Sequence, residues 1–305
     1  MIVTLGEILV EIMADLPGEG FRQAIALTGP FPSGAPAIYI SQVARMGVDC
    51  GIISAVGADD FGRVNLDRLR ADGVDVSAVT VDADRPTGSA FVRYHHDGAR
   101  DFVFNIAHSA CASIVIGPAA RALLAKARHL HVVGTSLSSG PMQAMALAAA
   151  RQVKGQRGTV SFDPNLRKEV LGQKGLVETV AAMLELADVF LPSGDELYIG
   201  CTERETAVAE HLARGMKAVV WKRGAEGASY FDADGRLDQA AFAVTEVDPT
   251  GAGDCFAGAF TALWCKGVPP ATALRMAAAA GALAVTKRGP MEGAAFAREV
   301  ADLAG

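Results

Sequence analysis

Short apolar runs recur along the chain, and between them the apolar residues return at helical spacing. The runs are "IVTLG" (2–6), "CGIISAVG" (50–57), "HLHVVG" (129–134), "TVSFD" (159–163), "DVFLP" (188–192) and "AVVWKRG" (218–224). Each predicts a strand. The intervening segments predict helices at 35–47, 61–72, 118–127, 141–153, 174–187 and 203–214. Three more, at 254–267, 270–287 and 294–303, close the chain. Strands alternating with helices are the signature of an α/β fold with a mainly parallel sheet covered by helices. No internal repeat or low-complexity linker interrupts the alternation, so one domain over 1–305 is expected.

Two stretches break that rhythm. "PTGSAFVRYHHDGARDFVFN" (86–105) reads as strand, turn, strand, with Asp97-Gly98 at the turn. Asp-Gly is a strong hairpin signal because glycine accepts positive φ. The flanking strands mix apolar and polar residues, as expected where one sheet face meets water. "ILVEIMA" (8–14) is also strand-like and runs into a Pro/Gly-bearing region that ends near Ser33. Together, 8–33 and 86–107 predict a small sheet outside the main one, suited to act as a lid over a cleft.

Composition narrows the function classes. A chain of 305 residues that is 50% hydrophobic and 20% charged has ample material for a buried core. The 34 carboxylates outnumber the 28 Lys and Arg, and no basic run exceeds two, so nucleic acid is not an expected partner. The start, "MIVTLGEILV", lacks the basic region and cleavage pattern of a signal peptide. The most apolar stretch, "MAAAAGALAV" (276–285), is short of the ~20 residues a bilayer demands, so no membrane association is expected. Cysteines 50, 111, 201, 255 and 265 form no CxxC pair, which fits reduced thiols in a cytoplasmic protein.

In a parallel α/β sheet, ligands bind beyond the carboxyl ends of the strands. The polar residues expected there are Glu7, the "DPNLR" cluster Asp163, Asn165 and Arg167, then Ser193, Asp195, Glu196, Lys222 and Arg223, with "DPTGAGD" (248–254) after them. Trp221, expected buried, would stand beside a nucleotide-site rim. In the last stretch Phe256, Phe260, Leu263 and Trp264 share one helical face, so a helix starts near Asp254. Gly251, Ala252 and Gly253 can aim backbone N–H groups at an anion. Asp254 then has two readings: a simple helix cap, or a base beside a phosphoryl pocket. Three consecutive small residues favour the second. Phosphoryl transfer to an alcohol needs donors for the transferring charge and a carboxylate for the hydroxyl proton.

Other chemistries find no motif. There is no GxxxxGK[ST] loop, no GxGxxG after the first strand and no GxSxG elbow. His95-His96 reads as exposed turn residues rather than a metal pair. His129 and His131 alternate on one strand, share a face and read as structural.

Taken together, these motifs resemble the ribokinase-type (PfkB) family of carbohydrate kinases. "DPTGAGDCFAGAF" looks like its C-terminal signature, and "PSGAPAIYISQVARMG" (32–47) with "VGADDFG" (56–62) like its N-terminal one. "DPNLR", "LPSGDE", "KRGAEG" and "TKRGPMEGA" (286–294) fall in the expected order. The resemblance implies a ribokinase-like three-layer α/β/α fold with a β-sheet lid that often mediates homodimers. It also implies transfer of the ATP γ-phosphoryl group to a sugar hydroxyl with Mg²⁺.

Carried over by residue, the resemblance makes Asp254 the base and the amides of Gly251, Ala252 and Gly253 the anion hole. Arg167 would face phosphate charge or a substrate carboxylate. Ser193, Lys222, Gly224, Gly227 and Thr250 would border the nucleotide. Asp195 and Glu196 would organise magnesium through water, and Asp248 lies where some members bind a monovalent cation such as K⁺. Glu11, Gly34, Ala35, Arg93 and Asn105 would face the sugar. Many members read Gly-Gly where this chain has Ser33-Gly34, and Asn where it has Ile38, which points away from ribose-like recognition. Ser193 likewise stands where Asn is commoner. "NLR", "GPMEG" and "SA" (109–110) lean toward the 2-keto-3-deoxygluconate kinase, fructokinase and ketohexose kinase branch. A nucleoside kinase of the same fold and a non-catalytic sugar sensor are the alternatives.

Overall fold

The computed structural model describes residues 1–18, 20–96, 100–166 and 171–305. The Asp97-Gly98 turn and Arg167 lie outside the described residues. The chain starts with β1 (Ile2–Leu5), leaves for β2 (Leu9–Ala14) and β3 (Leu27–Ser33), and returns through α1 (Ala35–Arg45) to β4 (Cys50–Gly57). After α2 (Asp60–Asp72) and β5 (Val79–Asp82) comes a second excursion, β6 (Gly88–Tyr94) and β7 (Arg100–Asn105). Regular alternation follows: α3 (Pro118–Lys126), β8 (His129–Val133), α4 (Gly140–Gly155), β9 (Thr159–Asp163), α5 (Leu176–Leu186), β10 (Val189–Phe190), α6 (Ala207–Ala213) and β11 (Ala218–Lys222). Strands β12 (Ala228–Asp232) and β13 (Gly235–Gln239) and helices α7 (Ala252–Cys265), α8 (Pro270–Ala284) and α9 (Ala297–Ala304) complete it.

The main sheet has nine strands in the order β13-β12-β11-β10-β9-β8-β1-β4-β5. Antiparallel pairing is confined to one edge, where β12 pairs with both β11 and β13. The sheet's inner strands from β11 to β4 are buried on both faces, and their side chains alternate between two cores. Ile2, Ile52 and Val220 face a core shared with α1, α7 and α8. Val3, Ile53 and Val219 face another, shared with α3, α4 and α5. This period-two division makes three layers. Helix α7 is apolar all round and has ten consecutive buried residues, 254–263, as befits a helix inside the layer rather than on its surface.

The second sheet has four strands in the order β3-β2-β6-β7. Register sets its two faces. Glu11 pairs with Ala90, which pairs with Phe104, and Val92 pairs with Phe102, so these residues share a face. Arg93 pairs with Asp101 and Ser89 with Asn105, on the opposite face.

Every predicted helix forms, with small shifts at the ends. Asp59 caps α2 by accepting from the Gly62 N–H, and Gly73 ends it at φ 96°. Strands β5, β12 and β13 were not predicted: "VTVD" and "GRLDQ" are exposed and polar edge strands, and "ASYFD" is a short mixed run between polar neighbours. Helix α7 begins at Ala252, two residues before the predicted start. Trp221 is half-buried, not buried: its indole N–H donates to the Gly194 carbonyl at 2.9 Å, and the Arg223 guanidinium lies 5.4 Å from its ring. No helix among the described residues is long and apolar enough to cross a membrane.

Candidate active site

The strand ends and the small sheet enclose a cavity of about 460 Å³ that Asp254 enters from the first turn of α7. Gly251 is the N-cap, with no side-chain cap, so the cap reading of Asp254 is excluded. The carboxylate lies two residues inside the first turn and is 7% exposed. Gly251 holds φ 81°, and a β-carbon there would stand 2.3 Å from the Pro290 carbonyl oxygen. Only glycine meets both demands. The first N–H groups of α7 have no acceptor within the helix and carry its positive dipole end. Carboxylate and amide donors are therefore delivered together, on a rigid buried helix.

Much of the remaining cavity wall comes from β2, α1 and β7. Glu11, Gly34, Ala35, Ile38 and Thr250 line the cavity with Asp254. Gly34 is the N-cap of α1 at φ 111°, with its α-carbon pressed so close that a β-carbon would stand 2.5 Å from the Glu7 carbonyl oxygen. Glu11 accepts from the Ser33 hydroxyl at 2.7 Å, so the serine found in place of a glycine orients a carboxylate. Glu7, Phe102 and Phe104 also line the cavity. The last two were missed by sequence reasoning, although their even positions on "RDFVFN" are a period-two signal.

Two expected sugar contacts are corrected by the strand register. Arg93 does not line the cavity: it sits on the opposite face of the small sheet, paired with Asp101 and donating to the Gly18 carbonyl at 2.6 Å. Asn105 shares that face, reaches toward Ser89 and lines a separate cavity of about 650 Å³. His95 stands 2.7 Å from the Asp101 carboxylate and is held within the same cluster.

Among the residues expected at the nucleotide, Lys222 ends β11 and bonds to Asp163 at the end of β9. Ser193 lies beside Lys222 in a parallel bridge. Gly224 is exposed, and Gly227 is buried against the Gln239 carbonyl of β13. Glu196 accepts from the Leu166 and Ser193 amides, each at 2.8 Å. Burial, and then the nearby Asp163 carboxylate, push the Glu196 carboxyl above its ordinary range. Asp195, expected beside it, is 80% exposed and pairs with Arg204 at 3.2 Å, so the two acids part company. Asp248 accepts from the Tyr94 hydroxyl at 2.7 Å, the Thr250 amide at 3.0 Å and the Gly289 amide at 2.9 Å. Burial works against its charge, but these bonds outweigh it and hold the carboxyl low.

No group of three or more His, Cys, Asp or Glu suited to a metal occurs among the described residues. Two adjacent carboxylates, Asp163 and Glu196, fit a hard cation that keeps its water and arrives with phosphates.

The profile of the pfkB family of carbohydrate kinases matches residues 20–295. The chain belongs to that family. It is a carbohydrate kinase, a phosphotransferase acting on a sugar hydroxyl. It is 33% identical to 2-dehydro-3-deoxygluconokinase of Thermoproteus tenax, over 99% of this chain and 93% of that protein. It is 32% identical to fructokinase of Klebsiella pneumoniae, over 94% of each. A candidate ribokinase II from E. coli, solved in complex with ATP and Mg²⁺, superposes with a TM-score of 0.91 at 45% identity, covering 99% of this chain and 98% of that one. The ribokinase-like fold expected from the sequence is thereby established.

Proposed function

We propose that this carbohydrate kinase transfers the γ-phosphoryl group of ATP to a hydroxyl of a ketohexose or of 2-keto-3-deoxygluconate. The acceptor lies in the cavity against Asp254, which takes the hydroxyl proton. The amides of Gly251, Ala252 and Gly253 face the transferring phosphoryl group, and Arg167 adds positive charge. The nucleotide runs along Ser193, Lys222, Gly224 and Gly227. Magnesium supplies charge neutralisation on the phosphates, with Glu196 and Asp163 placed to organise its water. The small sheet serves as the lid.

The observation that carries this reading is the buried Asp254 carboxylate on the turn that presents the amides, opening into a cavity of sugar-admitting size. The described lining includes the carboxylates Glu7, Glu11 and Asp254, which can accept from the hydroxyls of either acceptor. The rings of Phe102 and Phe104, stacked 5.2 Å apart, give a nucleoside kinase some support as a second reading.

ADP release measured across ketohexoses, 2-keto-3-deoxy acids, pentoses and nucleosides tests the assignment. The expected kcat/KM is highest for a ketohexose or 2-keto-3-deoxygluconate and lower for the others. Turnover confined to nucleosides would replace the first reading with the second, and absence of ADP with every acceptor would overturn both.

A further inference from the structure

Lys222 closes β11 with a side chain only 10% exposed. Its ammonium is bonded to Asp163, two strands away in the sheet. A buried ion pair of this kind adds little to stability, since apolar residues of similar volume often serve a core as well. Its position suggests another use. A β-carbon placed on Gly253 would stand 3.7 Å from Lys222 Nζ, so the ammonium lies against the first turn of α7. The same turn carries Asp254 on its cavity side. Lys222 and Asp254 thus flank the helix start, one offering positive charge and the other accepting a proton.

We infer that Lys222 is a catalytic residue, its ammonium donating to the oxygens of the transferring γ-phosphoryl group while Asp163 holds it in place. The inference rests on the kinase reading above. In that step a bond forms between the acceptor oxygen and phosphorus, and the bond from phosphorus to the β–γ bridging oxygen breaks. The hydroxyl proton passes to Asp254, and the electron pair stays on ADP. Negative charge is redistributed over the phosphoryl and bridging oxygens as this happens. A cation already fixed in place stabilises that charge more than it stabilises bound ATP. Lysine suits the task because its three donors let it keep one bond to Asp163 while offering the others.

Lys222→Gln tests the inference through two affinities and a rate. Turnover should fall by roughly 10²-fold or more, the range for loss of one preorganised donor. Affinity for Mg·ADP should stay within about threefold, while affinity for Mg·ADP with fluoroaluminate, which mimics the transferring group, should fall by a factor close to the turnover loss. A merely structural lysine would weaken both complexes alike. Equal weakening, or turnover within about threefold of the parent, overturns the inference. Should Lys222→Gln fail to fold, Lys222→Arg keeps a cation against Asp163 and decides the matter on the same pair of affinities. The parent protein is assayed alongside. A parent that forms no ADP with any acceptor fails the kinase reading, whereas an active parent matched by its variant fails Lys222 alone.

Discussion

Two buried polar clusters lie within the reach of one helix and are built on opposite principles. At the start of α7, where the strands end, the groups are acids and a lysine: buried Asp254, Asp248, Asp163 and Lys222, with half-buried Glu196. Beside the middle of the same helix they are neutral. His129 reaches Thr159 at 2.8 Å and Ser161 at 2.7 Å, and His131 reaches Ser161 at 2.7 Å. Tyr39 stacks on His131 with ring centroids 3.6 Å apart, and its hydroxyl meets Thr261 of α7 at 2.6 Å. The inner cluster satisfies itself, as a buried polar network must if it is to be tolerated. The outer one borders a cavity and keeps ionised groups that a ligand can engage. Charge is held where the sheet ends and excluded where it is covered.

The comparison breaks if the two clusters respond alike. Asp254→Asn should lower turnover by at least ~10²-fold, as for a lost general base. ATP binding and the melting temperature should remain near those of the parent, since Gly251 rather than Asp254 caps the helix. Near-normal turnover in the purified variant would remove Asp254 from the base role.

Acid should act on the inner cluster. Burial pulls the His129 pKa down to about 4, and burial followed by the charges of His129 and Lys222 pulls His131 well below its ordinary value. An unfolded histidine takes its proton near pH 6.5. Between that pH and about 4 the unfolded chain therefore holds more protons, and stability rises with pH. The His129 contribution is complete above pH 6.5 and declines as pH falls below it, with a loss of about 3 kcal/mol by pH 4. Denaturant titrations at stepped pH measure this slope. A slope that persists undiminished in His129→Gln would show that the acid limb originates elsewhere.

The sequence displays the inner strands better than the site. Runs such as "CGIISAVG" and "TVSFD" are apolar because both faces are covered, so composition alone reports them. "GRLDQ" and "VTVD" escape because an edge strand needs little apolar surface. At the candidate site, the placing of Asp254 at the start of a helix beside Gly251, Ala252 and Gly253 was legible because chain neighbours carry that geometry. Arg93 and Asn105 were misplaced for the opposite reason. A polar side chain on a strand of the small sheet attracts attention whichever face it occupies, and only the strand register shows that Phe102 and Phe104 take the cavity side. Asp195 and Glu196 are adjacent in sequence, yet the short helix 194–198 turns one to Arg204 and folds the other back onto the Ser193 amide.

Tyr94 joins the small sheet to the charged cluster and gives the finest test of the contrast. Its hydroxyl donates to Asp248, which keeps the Thr250 and Gly289 amides as further donors. Arg100 makes a second link from the same sheet, to the Thr250 hydroxyl at 3.0 Å. If Asp248 serves to hold the loop before α7, Tyr94→Phe loses one charge-assisted bond among several, and stability should fall by about 1–2 kcal/mol. The small sheet would then dock less firmly, so the acceptor KM should rise while kcat stays within about threefold. Steady-state kinetics beside a denaturant titration separate the two effects. A loss of kcat approaching that of Asp254→Asn would mean that Asp248 shares in the chemistry, and the division of labour within this loop would have to be redrawn.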